Sequence, residues 1–429
     1  MKNPSQHSTS ASGGNLRRLV VGLTLFGALM FAAQSAPAQT FTVLHNFTGG
    51  LDGSSPYAGL SMDRGGNLYG TASAGGRGYG TVFELSHKGT GWVFDPIYGF
   101  AGGGGGEGPT ARVILGPDGS LYGTTYAGGV SGCSGGYGCG TVFNLRPSPN
   151  VCRTTLCSWV ETVLYSFDGG SDGANPLLGD LSFDQTGNLY GTTENGGGVG
   201  CSGSGCGTVF ELSPVGRGWT EKVLYSFTGA GGDGANPFAG VTFDRGDVHL
   251  YGTTKSGGIA ANGTVFQLSP GGSSWTETPI YSFQGPNDGY APIGGVIFDP
   301  SGLLTGTTSS GGLNSGGIAF QLDSIFAETV LYNFVGPAGG GSYGNLTADA
   351  AGNLYGTAYD DGAYGNGSVF KLSPSLNGWT LTDLHDFTGG GDGLCPYGSV
   401  VLDAQGNLYG TAGAGGQYGY GVVWEITPQ

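Results

Sequence analysis

The chain has 429 residues, ample for a large core, yet 94 of them are glycine and only 10% are charged. Its 30 acidic side chains outnumber 14 basic ones, for a formal net charge of −16. Nucleic-acid phosphates and anionic lipid are thereby excluded as partners, and solubility outside the cell accounts for the acidity.

Residues 1–38 read as a signal peptide. Lys2, Arg17 and Arg18 make a basic start, Leu19 to Ala33 is largely apolar, and Ala36-Pro37-Ala38 offers the small residues a signal peptidase reads. The apolar run is shorter than the roughly 20 residues of a spanning helix. No cysteine stands near the cut to carry a lipid. Cleavage near Ala38 is expected, leaving a secreted, periplasmic or cell-surface protein with no membrane span.

Leu-Tyr-Gly-Thr then recurs, starting at Leu68, Leu121, Leu189, Leu250, Leu354 and Leu408, with the near-copy Leu304-Thr305-Gly306-Thr307 in the gap. A spacing of about 50 residues marks a modular array, in which one unit cannot bury its apolar surface alone. The unit is clearest from Gly179 to Phe227 and holds four strand-like segments. Segment A ends in Leu181-Ser182-Phe183, B is Leu189-Tyr190-Gly191-Thr192-Thr193, C is Gly207 to Leu212 and D is Trp219 to Phe227. Each is rich in β-branched and aromatic residues and bounded by Gly, Pro, Asp or Ser, and no helical period intervenes.

The A–B link Asp184-Gln185-Thr186-Gly187-Asn188 has relatives at Asp63, Asp349 and Asp403. These aspartates are read as turn caps rather than catalytic groups. Strand B is large on both alternating faces, so each sheet should lie between two others. Gly191 within it needs a close neighbour, expected to be an aromatic ring of the adjoining blade. The recurrent Tyr, Phe and Trp are accordingly assigned to the core between blades.

Six cysteines fall in close pairs, Cys133 with Cys139, Cys152 with Cys157 and Cys201 with Cys206, while Cys395 has no local partner. Export permits disulfides, and the spacings without a nearby histidine disfavour zinc. Blade 5 drifts, with Thr305 for tyrosine and Phe326 for tryptophan.

The termini decide between ring and rod. Thr40 to Phe47 aligns with a D segment, and the chain closes on a C segment, Gly421 to Ile426, with no D after it. The expected fold is an all-β, seven-bladed propeller of four strands per blade, residues 39–429, whose last blade is completed by the N-terminal strand.

At Gly187 to Thr193, Gly207 to Pro214 and Trp219 to Phe227 the chain resembles the choice-of-anchor tandem repeat proteins of the GloVer type. Their repeat reads approximately Gly-Asn-Leu-Tyr-Gly-Thr-Thr, a glycine-rich stretch, Gly-Thr-Val-Phe-Glu-Leu-Ser-Pro, then Trp-Thr-Glu and Leu-Tyr-Ser-Phe. The resemblance covers essentially all of residues 39–429. It implies an exported bacterial repeat protein and brings no assigned activity. The ending at Gln429 lacks a hydrophobic tail, so no C-terminal anchor is expected.

In a propeller the D–A and B–C loops share one face. The D–A loops carry Asp-Gly at Asp52, Asp172, Asp233, Asp288 and Asp392, with Glu107-Gly108 in blade 2. Such carboxylates are candidate calcium ligands, although Asp-Gly is also an ordinary turn pair. Just after strand B the residue varies while the strands do not: Ser73, Tyr126, Glu194, Lys255, Ser309, Tyr359 and Gly413. A variable rim on a constant scaffold suggests a binding surface, with Tyr126, Glu194, Lys255, Tyr359, Asp360 and Asp361 as candidates.

Catalysis has little support in these residues. His45 and His385 replace the strand D tyrosine and should pack, and no nucleophile triad, metal cluster or phosphate loop stands out. The expected function is a non-enzymatic binding or surface protein engaging a glycan, peptide or protein through the glycine-rich face. The alternative is a polysaccharide hydrolase or lyase, which would require carboxylates converging near the channel.

Overall fold

The computed structural model describes residues 39–428 apart from 90, 131, 134–135, 149–158, 199, 273, 338–339 and 377. The expected signal peptide and the Cys152–Cys157 pair lie outside the described residues. Among those described, the strands form seven four-stranded antiparallel sheets in a ring, joined in the order A to D, with no α-helix.

Blade 3 shows why the repeat folds this way. Strand A is Ser182–Phe183, B Leu189–Thr193, C Thr208–Val215 and D Gly218–Ser226. Asp184 Oδ1 accepts the Thr186 and Asn188 amides, each at 2.8 Å, and its Oδ2 accepts the Asn188 side-chain amide at 2.8 Å. Gly187 takes φ 91°, and the strand B hydroxyl of Tyr190 reaches the same carboxylate at 3.3 Å. Asp63, Asp349 and Asp403 repeat the arrangement, so these carboxylates are consumed in closing hairpins.

Strand B is buried along its whole length in every blade. Its glycine does sit against an aromatic ring, but of its own blade. A Cβ on Gly191 would lie 2.6 Å from Phe210, and one on Gly410 would lie 2.3 Å from Trp424. The expectation of a neighbouring blade's ring was wrong because strand C pairs in register with B. Gly191 faces Phe210 directly, and the ring folds across the missing side chain.

A one-residue bulge interrupts the C–D ladder between Val209 and Phe210. The extra residue, Leu224, is 6% exposed where strict alternation would leave it in solvent.

Blades adhere through repeated contacts. The phenylalanine ending strand D packs on the strand C aromatic of the next blade: Phe167 on Phe210, Phe227 on Phe266, and Phe283 on Phe320, each with ring centroids 5.2 Å apart. The Leu-Tyr-Gly-Thr tyrosine meets the next strand A edge to face, as Tyr190 does Phe243 at 5.0 Å. The threonine after it donates across the seam, Thr192 to the Ala239 carbonyl at 2.8 Å and Thr253 to Gly294 at 2.9 Å. In blades 2 and 5 the equivalent Thr124 and Thr307 hydroxyls find no partner among the described residues.

The same contacts close the ring. Thr40–Asn46 pairs antiparallel with Val422–Thr427, setting Val43 opposite Trp424 and His45 opposite Val423. Phe47 then packs on Phe83 of blade 1 at 5.3 Å, and Thr411 of blade 7 donates to Ala58 at 2.7 Å.

Candidate binding face

Each D–A loop leads into a strand A that lines the central channel. The residue after the loop's proline, or after Ser342 in blade 6, therefore stands at the channel mouth. Around the ring these residues are Tyr57, Thr110, Phe238, Ile293, Tyr343 and Tyr397, with Leu178 in blade 3, where the segment is one residue longer. Tyr397 packs against Tyr57, Tyr343 and Tyr359 with centroids 5.0, 4.9 and 4.6 Å away. Four half-buried tyrosines from blades 1, 6 and 7 thus form one aromatic patch at the mouth. The Tyr359 hydroxyl bonds the Cys395 thiol and the Tyr397 hydroxyl, which raises its own pKa. Cys395 forms no disulfide.

Below the mouth the channel narrows to a cavity of about 20 Å³. Its wall carries residues that are glycine in blades 1, 4 and 5, namely Gly59, Gly240 and Gly295, but Arg112, Asp180, Asn345 and Ser399 in the others. Arg112 and Asp180 pair at 2.9 Å, and Asp180 also accepts the Arg112 amide at 3.1 Å. Asn345 accepts the Gly295 amide at 2.6 Å and offers its own amide to Ser399 at 3.0 Å.

The residues singled out after strand B separate into groups. Tyr126, Glu194 and Lys255 come from successive blades, and Glu194 lies within electrostatic reach of both the others. Burial raises the Glu194 pKa while Lys255 opposes it, and burial together with Glu194 raises that of Tyr126. Lys255 caps the Phe238 ring 4.5 Å from its centroid. Tyr359 belongs to the tyrosine patch, with Asp360 beside it and raised by burial. Asp361 turns away, toward Asp383 and Asp386 of strand D, and burial followed by those charges raises its pKa.

The loop aspartates do not converge. Each folds back on its own loop, taking the amide four or five residues earlier and the strand D tyrosine or histidine. Asp172 accepts Tyr165 at 3.0 Å and the Asp168 amide at 2.9 Å. Asp288 accepts Tyr281 at 3.1 Å and the Gln284 amide at 2.7 Å. Asp233 takes the Thr228 amide at 2.7 Å and its hydroxyl at 2.6 Å. Asp52 and Asp392 each hold a histidine Nε2, of His45 and His385, at 3.1 Å and a threonine hydroxyl at 2.5 Å. No group of three or more acidic, histidine or cysteine side chains among the described residues is placed to hold a metal ion.

Both histidines pack as expected, His45 stacked on Phe94 at 3.6 Å and His385 on Phe41 at 3.7 Å. Glu107 requires correction. It pairs with Ala127 as Ser54 does with Ala74, so Gly105, not Glu107, occupies the loop-aspartate position in blade 2.

Two predicted disulfides are present, Cys133–Cys139 and Cys201–Cys206. Among the described residues no helix is long and apolar enough to cross a membrane. Sequence reasoning missed Tyr57, Tyr343, Tyr397, Arg112 and Asp180. The usable signal was the position after the loop proline, aromatic in four repeats, and the replacement of glycine just before strand A in adjoining blades.

Ring, channel and loop face together define a seven-bladed β-propeller repeat protein whose one aromatic-lined face is formed by its D–A and B–C loops. The chain belongs to the Gloeobacter/Verrucomicrobia repeat family, whose model matches residues 22–260, 134–325 and 246–429. Among solved structures it is similar to an ancestral GH74 enzyme, with TM-score 0.53 and 14% identity over 88% of this chain and 48% of that one. It is also similar to puromycin hydrolase, with TM-score 0.52 and 11% identity over 84% and 50%. The chain spans about half the length of these two proteins. A gluconolactonase from Xanthomonas campestris matches with TM-score 0.42 and 11% identity over 91% of this chain and 89% of that one. Likeness at these identities concerns the fold alone. No curated protein matches the chain in sequence.

Proposed function

We propose that this is an exported binding propeller that holds a glycan, peptide or protein on its loop face. The observation that carries the reading is the state of the channel carboxylate. Asp180 is the one acidic residue among the described residues lining the throat, and Arg112 neutralises it at 2.9 Å. A glycoside hydrolase needs two carboxyl groups roughly 5 to 10 Å apart flanking the bond to be cut. Around the throat the surface is instead aromatic and polar, with Tyr57, Tyr343, Tyr359 and Tyr397 beside Asp360, a mixture suited to contact without chemistry. The two disulfides support an oxidising compartment, in keeping with the signal-like residues 1–38.

The test is a glycan and peptide array probed with the purified protein lacking residues 1–38, with and without calcium, alongside assays for polysaccharide depolymerisation. Binding without turnover is the expected result. Turnover of a polysaccharide with no array binding would replace this reading with that of an enzyme.

A further inference from the structure

We infer that the cleft between blades 2 and 3 is the ligand subsite and takes a neutral saccharide chain; this rests on the loop face being the binding face. The array supplies its own baseline. The B–C connections of blades 1, 4, 5, 6 and 7 are short, at 73–80, 255–263, 308–314, 359–367 and 413–421, whereas those of blades 2 and 3 run 126–140 and 194–207. Drift scatters over an array, but these two departures are adjacent and facing. Each long loop carries a disulfide, Cys133–Cys139 and Cys201–Cys206. Each disulfide also packs against the D–A loop that follows its blade. A Cβ on Gly169 would lie 2.5 Å from Cys133 Sγ, and one on Gly229 would lie 3.4 Å from Cys201 and Cys206 Sγ. The walls are thus pinned at both sides, which spares a ligand the cost of ordering them.

Between the walls lies an open cleft of about 680 Å³, within the roughly 300–1,000 Å³ range of ligand pockets. Tyr137, 70% exposed, and Tyr126, 37% exposed, present rings on which the apolar face of a pyranose can stack. Asn175 and Asn195 bring side-chain amides and Ser204 a hydroxyl, the donors and acceptors that sugar hydroxyls require. Asn175 is fixed in place, with φ 57°, its backbone amide donating to the Cys139 carbonyl at 2.7 Å and its side chain to the Tyr126 carbonyl at 3.0 Å. Glu107, two residues beyond the loop-aspartate position, adds one carboxylate, and no basic side chain lines the cleft among the described residues. That polarity rejects uronic-acid and sulfated chains and admits neutral ones. A peptide would find little apolar surface here to bury.

The deciding experiment is isothermal titration of the disulfide-intact protein with cellohexaose, xylohexaose, mannohexaose and hexagalacturonate. At least one neutral hexamer should bind. Tyr137→Ala should weaken it by about tenfold or more, while Leu376→Ala, on the exposed C–D turn of blade 6 at the opposite face, leaves it unchanged. Tyr137 is exposed, so a thermal melt matching the unaltered protein separates lost binding from lost folding. Binding of hexagalacturonate alone overturns the inference, as does neutral binding that survives both Tyr137→Ala and Tyr126→Ala. Failure of every hexamer overturns it too; the loop-face reading then survives if the arrays capture a peptide, and falls with it if they capture nothing.

Discussion

Glycine in Leu-Tyr-Gly-Thr is required by its own sheet rather than by the chain's flexibility. A Cβ at Gly252 would stand 2.5 Å from Phe266, a buried ring with no room to withdraw. Gly252→Ala should therefore destabilise the protein by about 1–3 kcal/mol, the usual cost of overpacking, read as a lower urea midpoint at unchanged slope. Thr411 shows the opposite economy, with one hydroxyl joining the last blade to the first at 2.7 Å. Thr411→Val leaves the buried Ala58 carbonyl short of a donor and should cost about 1–3 kcal/mol. The loop aspartates are bound by their own loops, so chelation of divalent ions should leave the melting temperature unchanged. A drop on adding EDTA would restore calcium as a ligand of this face.

At the scale of the element, the seam between strands D of neighbouring blades carries carboxyl pairs. In three seams a loop aspartate faces a strand D glutamate of the next blade: Asp172 with Glu221, Asp233 with Glu277 and Asp288 with Glu328. An oxygen of each group is buried without a partner among the described residues. Burial first, then the facing charge, raises Glu221 and Glu328 to about 7 and Glu277 to about 8. Where histidine replaces the strand D tyrosine, phenylalanine replaces this glutamate, as in His45 with Phe94 and His385 with Phe41. The two sets have covaried across the seam. A carboxyl whose folded pKa lies above its unfolded value binds more protons in the native state, so its contribution falls as pH rises between the two. Glu277→Gln should match the unaltered protein near pH 4 and gain on it progressively up to about pH 8, when melting temperatures of the two are compared across that range. A constant difference would mean the pair does not titrate in this window.

Closure of the ring is the property of the whole molecule on which the binding face depends. Strand Thr40–Asn46 covers the outer edge of Val422–Thr427, and Phe47 fills the seam to blade 1. Phe47→Ala removes a fully buried ring from that seam and should cost about 3–5 kcal/mol. Because blades 1 and 7 carry Tyr57 and Tyr397, the same change should also expose the tyrosine patch, seen as a shift in tyrosine fluorescence and faster proteolysis at the mouth. An unaltered melt would mean the seam holds without this ring.

Much of this architecture is legible in the residues because a repeat states its geometry seven times. Blade number, strand order, hairpin capping by Asp184 and its relatives, the joining of both termini in one sheet and two of the disulfides all follow from local turn chemistry and alternation. Packing partners do not. That Gly191 shelters Phe210 of its own blade, or that Gly105 rather than Glu107 stands at the loop-aspartate position, depends on register, and a shift of one residue reverses which side chain faces the core. The candidate site was harder still. Tyr126, Glu194 and Lys255 are found by comparing repeats, but Arg112 and Asp180 lie 68 residues apart in the chain. Tyr57 and Tyr397 are separated by almost the whole ring. Their meeting is decided only when the blades close around the channel, because it is the circular arrangement that brings one position of every repeat to a common centre.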